Sequence, residues 1–295
     1  MKHVTVLLEE AVNALELKND STVVDATLGA GGHARLILSK LGTKGTFVGF
    51  DADSTALESL EDLKQGKATV HLVHSNFVKI QSELTELHIE NVDAILADLG
   101  WRTDQFTDGG KGFSFNSDDS LYMTYGLPSE YLFTAGDIVN GWNEEDIANV
   151  LYGYGEERYS RMIAKAIVEY RKKNRVTTAA QLAEIIFTSV PVSYRHGRIH
   201  PATKSFQGLR IAVNDEFKVL EQFIAQAWQK LRSGGRLAII SFHSLEDRIV
   251  KHSFKTYVQD DSGVLISKKP ITASNEELQQ NPRARSAKLR IIQKL

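Results

Sequence analysis

The chain has no cysteine among its 295 residues, which excludes disulfide bonds, zinc–thiolate sites and cysteine nucleophiles. It also has no apolar run long enough to cross a membrane. Glu9 and Glu10 interrupt the apolar N-terminal stretch, so no signal peptide is predicted there. Charge of one sign is not in large excess, because the formal net charge is −2. These absences predict a cytoplasmic protein and give no global argument for nucleic-acid binding.

Short β-branched runs alternate with helical patterns, which predicts a doubly wound α/β fold with a mostly parallel, Rossmann-like sheet. The predicted strands are STVVDAT, GTFVGFDAD, ATVHLVHSNF, VDAILADLG and RLAIISF, with GVLISKK and KLRIIQK as further candidates in the tail. One long helix is predicted over SFQGLRIAVNDEFKVLEQFIAQAWQKL. Between these parts, helical patterns follow a glycine- and aromatic-rich loop. We therefore predict a discontinuous α/β domain, residues 1–103 and 206–295, interrupted by a helical substrate-recognition domain, residues 104–205.

The first predicted strand runs into the glycine-rich segment DATLGAGGH, from Asp25 to His33. Glycine at a strand-to-helix turn lets the backbone approach a ligand closely, and the helix that follows presents free N–H groups. Gly29, Gly31 and Ala34 match the loose G-x-G-x-x-G/A dinucleotide pattern. The pattern does not separate a nicotinamide cofactor from S-adenosylmethionine, or either of them from a purely structural turn.

Further candidate binding residues end the next three predicted strands. Asp51 follows the glycines by about 20 residues, the spacing at which an acid accepts hydrogen bonds from ribose hydroxyls. Phe77 and Asp98 end the third and fourth strands, at the sheet edge where ligands bind in open α/β sheets. With Asp25 before the glycines, this layout resembles the class I S-adenosylmethionine-dependent methyltransferases more than a dehydrogenase.

The segment Asp98-Leu99-Gly100-Trp101 suggests what receives the methyl group. Its layout is similar to the D/N-P-P-Y/F/W loop of amino-methyltransferases, in which an acid or amide holds an exocyclic amine and the aromatic ring stacks on the base. Methylation of pyrimidine C5 usually needs a cysteine nucleophile, which this chain lacks. We predict Asp98 and Trp101 as catalytic residues, with packing of Trp101 against the inserted helices as the alternative.

The segment SFHSLEDR and several basic segments supply the predicted substrate side. Ser244-x-x-Asp247 predicts a capping box at a helix start, and His243 in the preceding turn is a candidate substrate contact. YRHGRIHPATK and NPRARSAKLRIIQKL are candidate phosphate contacts, with solvated faces as the alternative. The nine histidines show no ligand spacing, so no metal site is predicted.

The chain as a whole resembles the ribosomal small-subunit RNA methyltransferase H family, whose members make N4-methylcytidine at the decoding centre. The resemblance rests on HVTVLLEEAVNAL, DATLGAGGHARLIL, GKGFSF, TAGDIVN, YGEERYSRMIAKAIV, HPATKSFQGLRIAVNDE, GGRLAIISFHSLEDRIVK and NPRARSAKLR, which extend nearly from end to end. It implies a class I methyltransferase domain with a helical insert. It also implies S-adenosylmethionine as cofactor and small-subunit rRNA as partner, with no membrane and with a homodimer left open.

The resemblance implies a specific set of site residues. The implied cofactor-binding residues are Gly31, Gly32, His33, Asp51, Phe77, Asp98 and Gln105. On the substrate side we predict Trp101, Lys204, His243 and Arg283.

Two segments depart from the family pattern. Trp101-Arg102-Thr103 stands where members usually have V-S-S, and residues 120–124 (SLYMT) stand where they usually have P-L-D-M-R. Both departures affect how the target nucleotide is placed, and which nucleotide it is, more than they affect cofactor binding. They keep two alternatives open: an amino-methyltransferase for another RNA or for DNA, and a non-catalytic ribosome-assembly factor that binds S-adenosylmethionine. A nicotinamide oxidoreductase is a more distant alternative.

Overall fold

The structure, a computed structural model, describes residues 4–99 and 110–295. Two compact units divide these residues. The first, the sheet unit, comprises the chain up to residue 99 and from Phe217 to Leu295, and the second, the insert, ends at Glu216. Within the described ranges, no helix combines the length and the apolar character needed to cross a membrane.

The sheet unit contains a seven-stranded sheet in the order β3-β2-β1-β4-β5-β7-β6. Its strands are β1 (Thr22–Asp25), β2 (Thr46–Asp51), β3 (Thr69–His74), β4 (Val92–Asp98), β5 (Leu231–Ser241), β6 (Gly263–Leu265) and β7 (Lys288–Lys294). The first five strands are parallel, and β7 lies antiparallel between β5 and β6. This sheet confirms the predicted doubly wound, mostly parallel fold.

Helices cover both faces of this sheet. They are α1 (Leu8–Ala14), α2 (Gly32–Lys40), α3 (Ser54–Glu58) and α4 (Ile80–Glu86) before the insert, and α11 (Glu216–Lys230), α12 (Ser244–Gln259) and α13 (Asn275–Gln280) at its end or after it. Successive strand residues point to opposite faces. Val23 and Leu96 therefore enter one core cluster, and Val24 and Ile95 enter the other. Both clusters are built from fully buried aliphatic and aromatic side chains, which stabilise the sheet from both sides.

The insert is helical in the part that the structure describes, as predicted. Its helices are α5 (Ala135–Gly141), α6 (Glu144–Gly153), α7 (Ser160–Arg171), α8 (Ala179–Ser189), α9 (Val192–Arg195) and α10 (Ala202–Asn214). Thr134, Asn143 and Thr178 cap the starts of α5, α6 and α8 through their side chains. The apolar faces of these helices share one core, which is separate from the two clusters of the sheet.

The prediction of one long helix after residue 205 is wrong, because the chain turns at Asp215 between α10 and α11. Asp215 has a left-handed backbone conformation, with φ of 49°. The Asn214 side chain donates to the Met123 carbonyl (2.8 Å) and accepts from the Tyr125 N–H (3.0 Å), bonds that hold the end of α10 inside the insert. Phe206 and Leu209 also belong to the core of the insert, so the unit ends after Glu216 instead of after Ser205.

Candidate active site

Three carboxylates end neighbouring strands of the sheet at the same edge. Asp25, Asp51 and Asp98 are the last residues of β1, β2 and β4, and β1 lies between the other two strands. The parallel register pairs Asp25 with Gly49 of β2 and with Leu96 of β4. Because parallel strands present their carboxyl ends together, this edge carries a concentration of negative charge.

Asp25 is the buried member of this group, with 1% of its surface exposed. Its Oδ1 accepts a hydrogen bond from the Thr27 N–H (3.1 Å), whereas its Oδ2 is buried without a partner in the part of the chain that the structure describes. Burial raises the pKa of the Asp25 carboxyl to about 7, and the charges of Asp98 and Asp51 act in the same direction. The Asp25 carboxyl therefore gains or loses its proton near neutral pH.

The glycine-rich loop after β1 connects Asp25 to Asp51. Gly29 has a φ of 54°, and its N–H donates to Asp51 Oδ2 (2.9 Å). Gly31 precedes α2 with a φ of 75°, and a Cβ at this position would lie 2.8 Å from Leu60 Cδ2. Both glycines thus have left-handed conformations that other residues adopt only at a cost.

Gly32 and His33 contact the N-terminal segment of the chain. A Cβ on Gly32 would lie 1.8 Å from Thr5 Oγ1, so the close approach of Thr5 requires glycine at this position. His33 is buried, with Nε2 at 3.1 Å from the Val6 carbonyl oxygen and Nδ1 at 3.9 Å from Asp98 Oδ2. The His33 ring therefore lies between the N-terminal segment and one of the three edge carboxylates. Its predicted contact with a cofactor stays a prediction.

Asp51 shapes the loop after its own strand as well as the glycine loop. Its Oδ1 accepts from the Asp53 N–H (2.9 Å), so each carboxylate oxygen has one backbone donor. An ionised carboxylate is an acceptor of the kind that suits the hydroxyl groups of a ribose.

Phe77 follows β3 in a short 3-10 helix, and its ring packs edge-to-face on Phe223 with centroids 5.0 Å apart. It is partly buried. The Phe77 ring therefore contributes to the core of the sheet unit, and its predicted role in cofactor binding stays a prediction.

Asp98 is held in place through its backbone. Its N–H donates to Thr27 Oγ1 (2.6 Å), and the Leu99 N–H donates to the Ile240 carbonyl (3.0 Å). The Asp98 side chain keeps 21% of its surface exposed, in contrast to Asp25. The predicted residues Trp101 and Gln105 lie outside the described residues.

His243 follows β5, the neighbour of β4, and caps α12. Its Nδ1 accepts from the Glu246 N–H (3.3 Å), and Glu246 Oε2 accepts from the Phe242 N–H (2.8 Å). The capping box therefore begins one residue before the predicted Ser244, and the His243 imidazole serves as the cap. His243 Nε2 lies 3.1 Å from Glu246 Oε1, a contact that is an ion pair only when the imidazole is protonated. The cap orients the ring, and substrate contact by His243 stays a prediction.

The basic C-terminal segment is largely occupied by internal contacts. Arg290 and Lys288 of β7 bind the Asp247 carboxylate, with Nε–Oδ1 and Nζ–Oδ2 distances of 2.6 and 3.1 Å. Lys294 Nζ donates to the Trp228 and Leu231 carbonyls (2.8 and 2.7 Å). Lys288, Arg290 and Lys294 of this segment thus have partners within the protein, and contact of the segment with phosphates stays a prediction. Arg283 remains exposed, in a short 3-10 helix before β7.

Lys204 belongs to the insert and is not part of the sheet edge. It lies on α10, and its Nζ donates to the Glu156 carbonyl (2.9 Å). Its role in binding substrate stays a prediction.

The edge carboxylates fit a cofactor that carries positive charge and ribose hydroxyls, as S-adenosylmethionine does. Asp25 Oδ2 is a buried acceptor without a partner among the described residues, and it precedes the glycine loop with its two left-handed glycines, Gly29 and Gly31. Asp51 ends β2 at the edge where nucleosides bind in open α/β sheets. The three side chains at the ends of these strands all carry carboxyl groups. This edge therefore favours a positively charged sulfonium or ammonium group over a phosphate.

Thr27 is a site residue that the sequence reasoning missed. Its hydroxyl accepts from the Asp98 N–H and links the ends of β1 and β4. The sequence offered one indication of this role, namely that Thr27 follows Asp25 by two residues at the end of a predicted strand. Only the strand order, however, shows that β4 lies beside β1.

Comparison with known proteins finds matches along the whole chain. The profile of the MraW methylase family matches residues 1–295. Two relatives from Clostridium botulinum, strains Loch Maree (type A3) and Kyoto (type A2), are each 41% identical over 310 residues. Both alignments cover 100% of this chain and 99% of the relative, and both relatives are named ribosomal RNA small subunit methyltransferase H.

Among solved structures, an rRNA methylase from Streptococcus thermophilus matches with 12% identity and a TM-score of 0.47. The match covers 99% of both chains.

Proposed function

Because the chain belongs to the MraW methylase family, we propose that it is an S-adenosylmethionine-dependent methyltransferase of small-subunit ribosomal RNA. The proposed product is N4-methylcytidine at the decoding centre. The observation that carries the proposal is the full-length similarity to named small-subunit rRNA methyltransferases, together with the acidic edge formed by Asp25, Asp51 and Asp98.

The residues of the sheet edge have separate roles in this proposal. Asp51 binds the ribose of the cofactor, and the backbone of the glycine loop, which donates to Asp51, approaches the cofactor closely. Asp25 contributes a buried hydrogen-bond acceptor at the same edge of the sheet. The bound cofactor supplies an electrophilic methyl group on a sulfonium. Asp98 accepts a hydrogen bond from the exocyclic amine of cytosine and so directs the nitrogen lone pair at that methyl group. When the new N–C bond forms, the sulfur would leave as a neutral thioether, and the proton lost from the nitrogen would pass to water by way of the Asp98 carboxylate. Orientation of this kind contributes roughly 7–11 kcal/mol to lowering a barrier.

The experiment is radiolabelled methyl transfer from S-adenosylmethionine to unmethylated small ribosomal subunits, naked small-subunit rRNA and duplex DNA. Nucleoside mass spectrometry then identifies the product. N4-methylcytidine in subunits or rRNA is the expected result. Label in DNA contradicts the RNA proposal, and tight cofactor binding without product in any substrate favours a non-catalytic assembly factor.

Asp98→Asn is expected to lower kcat about 100-fold, because the variant loses the anionic acceptor for the amine N–H. The Thr27 hydroxyl still receives the backbone N–H at this position, so the strand end stays in place. Single-turnover methylation of unmethylated subunits measures the effect. Asp20→Asn, an exposed acid on another loop, serves as the control and keeps the wild-type rate. A wild-type rate in Asp98→Asn contradicts the role of the carboxylate.

Trp101→Ala tests the proposed stacking on the target base. The loss of a stacked ring, worth about 1–3 kcal/mol, raises the RNA concentration needed for half-maximal rate and leaves cofactor affinity unchanged. Titration with S-adenosylhomocysteine and initial rates against RNA concentration measure the two quantities. An equal loss of cofactor affinity contradicts a role restricted to the base.

A further inference from the structure

The fold uses only one of the two carboxyl oxygens of Asp25. Oδ1 accepts the Thr27 N–H, whereas Oδ2 is buried and has no hydrogen-bond partner among the residues that the structure describes. A buried polar atom without a partner is costly, and at a candidate binding site it is a sign of a ligand. Asp25 is the last residue of β1 and stands directly before the glycine loop. An unused carboxyl oxygen therefore lies next to the segment assigned to the cofactor.

The charges that act on Asp25 are negative. Burial raises the pKa of the Asp25 carboxyl, and the charges of Asp98 and Asp51, which end the two strands paired with β1, raise it further. On α2, the His33 Nδ1 lies 3.9 Å from Asp98 Oδ2. In the described part of the chain, no positive charge counters the rise in the pKa of Asp25. A bound cation would supply this counter-charge.

The two forms of the cofactor differ in charge at a single atom. S-adenosylmethionine carries a positive sulfonium. After the methyl group passes to the amine nitrogen, the electron pair of the broken C–S bond stays on the sulfur, which is neutral in S-adenosylhomocysteine. Both forms keep the same ribose, so the proposed contact with Asp51 does not separate them. A buried carboxylate does, because its interaction with a charge is screened less than in water.

We propose that Asp25 makes this site prefer the cationic cofactor over the spent one. Its carboxylate stabilises the sulfonium form more than the thioether form, so methyl transfer itself weakens binding and favours exchange of the product for S-adenosylmethionine. The inference rests on the proposed function for the identity of the cofactor, and it adds an order of preference between the two forms. Asp25 is in this sense a specificity-determining residue.

The same burial makes the preference depend on pH. The pKa of Asp25 is about 7, so near neutral pH part of the free protein carries the uncharged acid at this position. The uncharged acid does not attract a sulfonium, and binding of S-adenosylmethionine therefore releases the proton. The affinity for S-adenosylmethionine should rise with pH up to about 7 and then stay level. The affinity for S-adenosylhomocysteine should rise less, because its sulfur is neutral.

Calorimetric titration of the full chain without RNA tests the proposal at pH values on both sides of the Asp25 pKa. The ligands are S-adenosylmethionine, S-adenosylhomocysteine and an analogue with an ammonium group in place of the sulfonium. Repeating each titration in buffers of different ionisation enthalpy counts the protons released. Below the Asp25 pKa, the wild type is expected to release more protons with the two cationic ligands than with S-adenosylhomocysteine.

Asp25→Asn removes the charge but keeps the size of the side chain and an oxygen that can accept the Thr27 N–H. This variant is expected to bind S-adenosylmethionine about tenfold more weakly than the wild type above the Asp25 pKa, and S-adenosylhomocysteine at most about threefold more weakly. Its proton release and its pH trend should both be lost. Asp25→Glu, which keeps the charge, should recover part of the preference.

Asp20→Asn is the control, because it removes an exposed acid outside the site and should leave both affinities and their pH trends unchanged. A wild-type ratio of the two affinities in Asp25→Asn overturns the proposal. A pH trend that survives in Asp25→Asn also overturns it, since another group would then be responsible. Equal proton release by the wild type with both natural cofactor forms is a third contrary result.

The binding measurements separate this inference from the proposed function, because they do not require methyl transfer. If the wild type prefers S-adenosylmethionine through Asp25 but methylates neither subunits nor rRNA, the proposed function fails and the inference is supported. If the wild type methylates subunits while Asp25→Asn keeps the wild-type ratio of affinities, the function is retained and the inference fails.

Discussion

The two oxygens of the Asp25 carboxylate have different surroundings, and this difference has a consequence for stability. One accepts a backbone hydrogen bond, and the other is buried without a partner among the described residues. Asp98 and Asp51 add repulsion to the cost of burial. In the free protein, Asp25 is therefore divided between the acid and the carboxylate near neutral pH, and a cationic ligand at this edge would favour the carboxylate.

Asp25→Asn is expected to change how stability depends on pH. The native pKa of about 7 lies above the unfolded value of 3.8, so the native state binds the proton more tightly. The contribution of Asp25 is fully present below pH 4 and is lost as the pH rises through 7, a change on the order of 4 kcal/mol. Chemical denaturation of wild type and variant from pH 4 to 8 measures it.

The variant should gain stability relative to wild type as the pH rises, because it has no carboxyl group to ionise. Asp20→Asn, which removes an exposed acid, should show no such trend. A constant difference between wild type and Asp25→Asn across this range is the contrary outcome.

Gly32→Ala is expected to destabilise the protein by about 1–3 kcal/mol, because the new Cβ would overlap Thr5 Oγ1. Thr5→Gly on the Gly32→Ala background should recover part of this loss, since it removes the overlapping atoms. Gly141→Ala is the control, as a Cβ there meets nothing within 4 Å. Thermal unfolding of the single and double variants measures the coupling, and strictly additive effects would contradict the contact.

At the scale of elements, β7 is tied to α12 by side-chain charges as well as by the sheet. Asp247 on α12 binds Arg290 and Lys288 of β7, and the Asp247 and Arg290 side chains are each 11% exposed. Burial acts to raise the pKa of Asp247, but the hydrogen bonds from Arg290 and Lys288 outweigh it and hold the pKa below its usual range. The negative charge at Asp247 therefore stabilises the fold.

Asp247→Asn is expected to destabilise the protein by about 2–3 kcal/mol at pH 7, because two cations lose their shared counter-charge. The Asp247 contribution is present above the ordinary Asp pKa and is lost as the pH falls through the lowered native value. The difference from wild type should therefore shrink below about pH 4. Urea unfolding at pH 7 and pH 3 measures it, and an undiminished difference at pH 3 would contradict the ion-pair origin.

The elements that could be predicted from the sequence are those whose ends are marked by neighbouring residues in the chain. The ends of β1, β2 and β4 at Asp25, Asp51 and Asp98 follow from apolar runs that stop at turn residues, and Asn143 follows from capping chemistry. The break at Asp215 did not follow, because the apolar spacing continues through it and the cause is the bonding of Asn214 to the distant residues Met123 and Tyr125.

Long-range partners explain the other differences. The sequence of the tail predicts exposed cations, whereas the partner of Arg290 and Lys288 lies on a helix some forty residues earlier in the chain. Serine is the stronger helix cap by intrinsic preference, yet His243 takes the cap because Glu246 bonds back to the N–H groups of residues 242 and 243. The contact of Gly32 with Thr5 has no signature within the glycine loop itself.

At the scale of the whole molecule, the sheet unit and the insert have separate cores. S-adenosylhomocysteine should therefore raise amide protection against hydrogen exchange in β1, β2 and β4 more than in the core of α7 and α8. At a concentration of S-adenosylhomocysteine 100 times its Kd, the expected stabilisation of the sheet unit is about 2.7 kcal/mol. Hydrogen exchange with mass spectrometry measures it, and an equal gain in both units would show that they unfold together.

The strand order also has a consequence for synthesis on the ribosome. β4 pairs on one side with β1, which precedes it, and on the other side with β5, which is made roughly 130 residues later, a delay of about ten seconds at ordinary elongation rates. During that interval the emerging chain presents an unpaired edge of the apolar strand Val92–Asp98, while the insert has time to complete its own core. Newly made copies are therefore most exposed to aggregation, and most dependent on chaperones, between the appearance of β4 and that of β5.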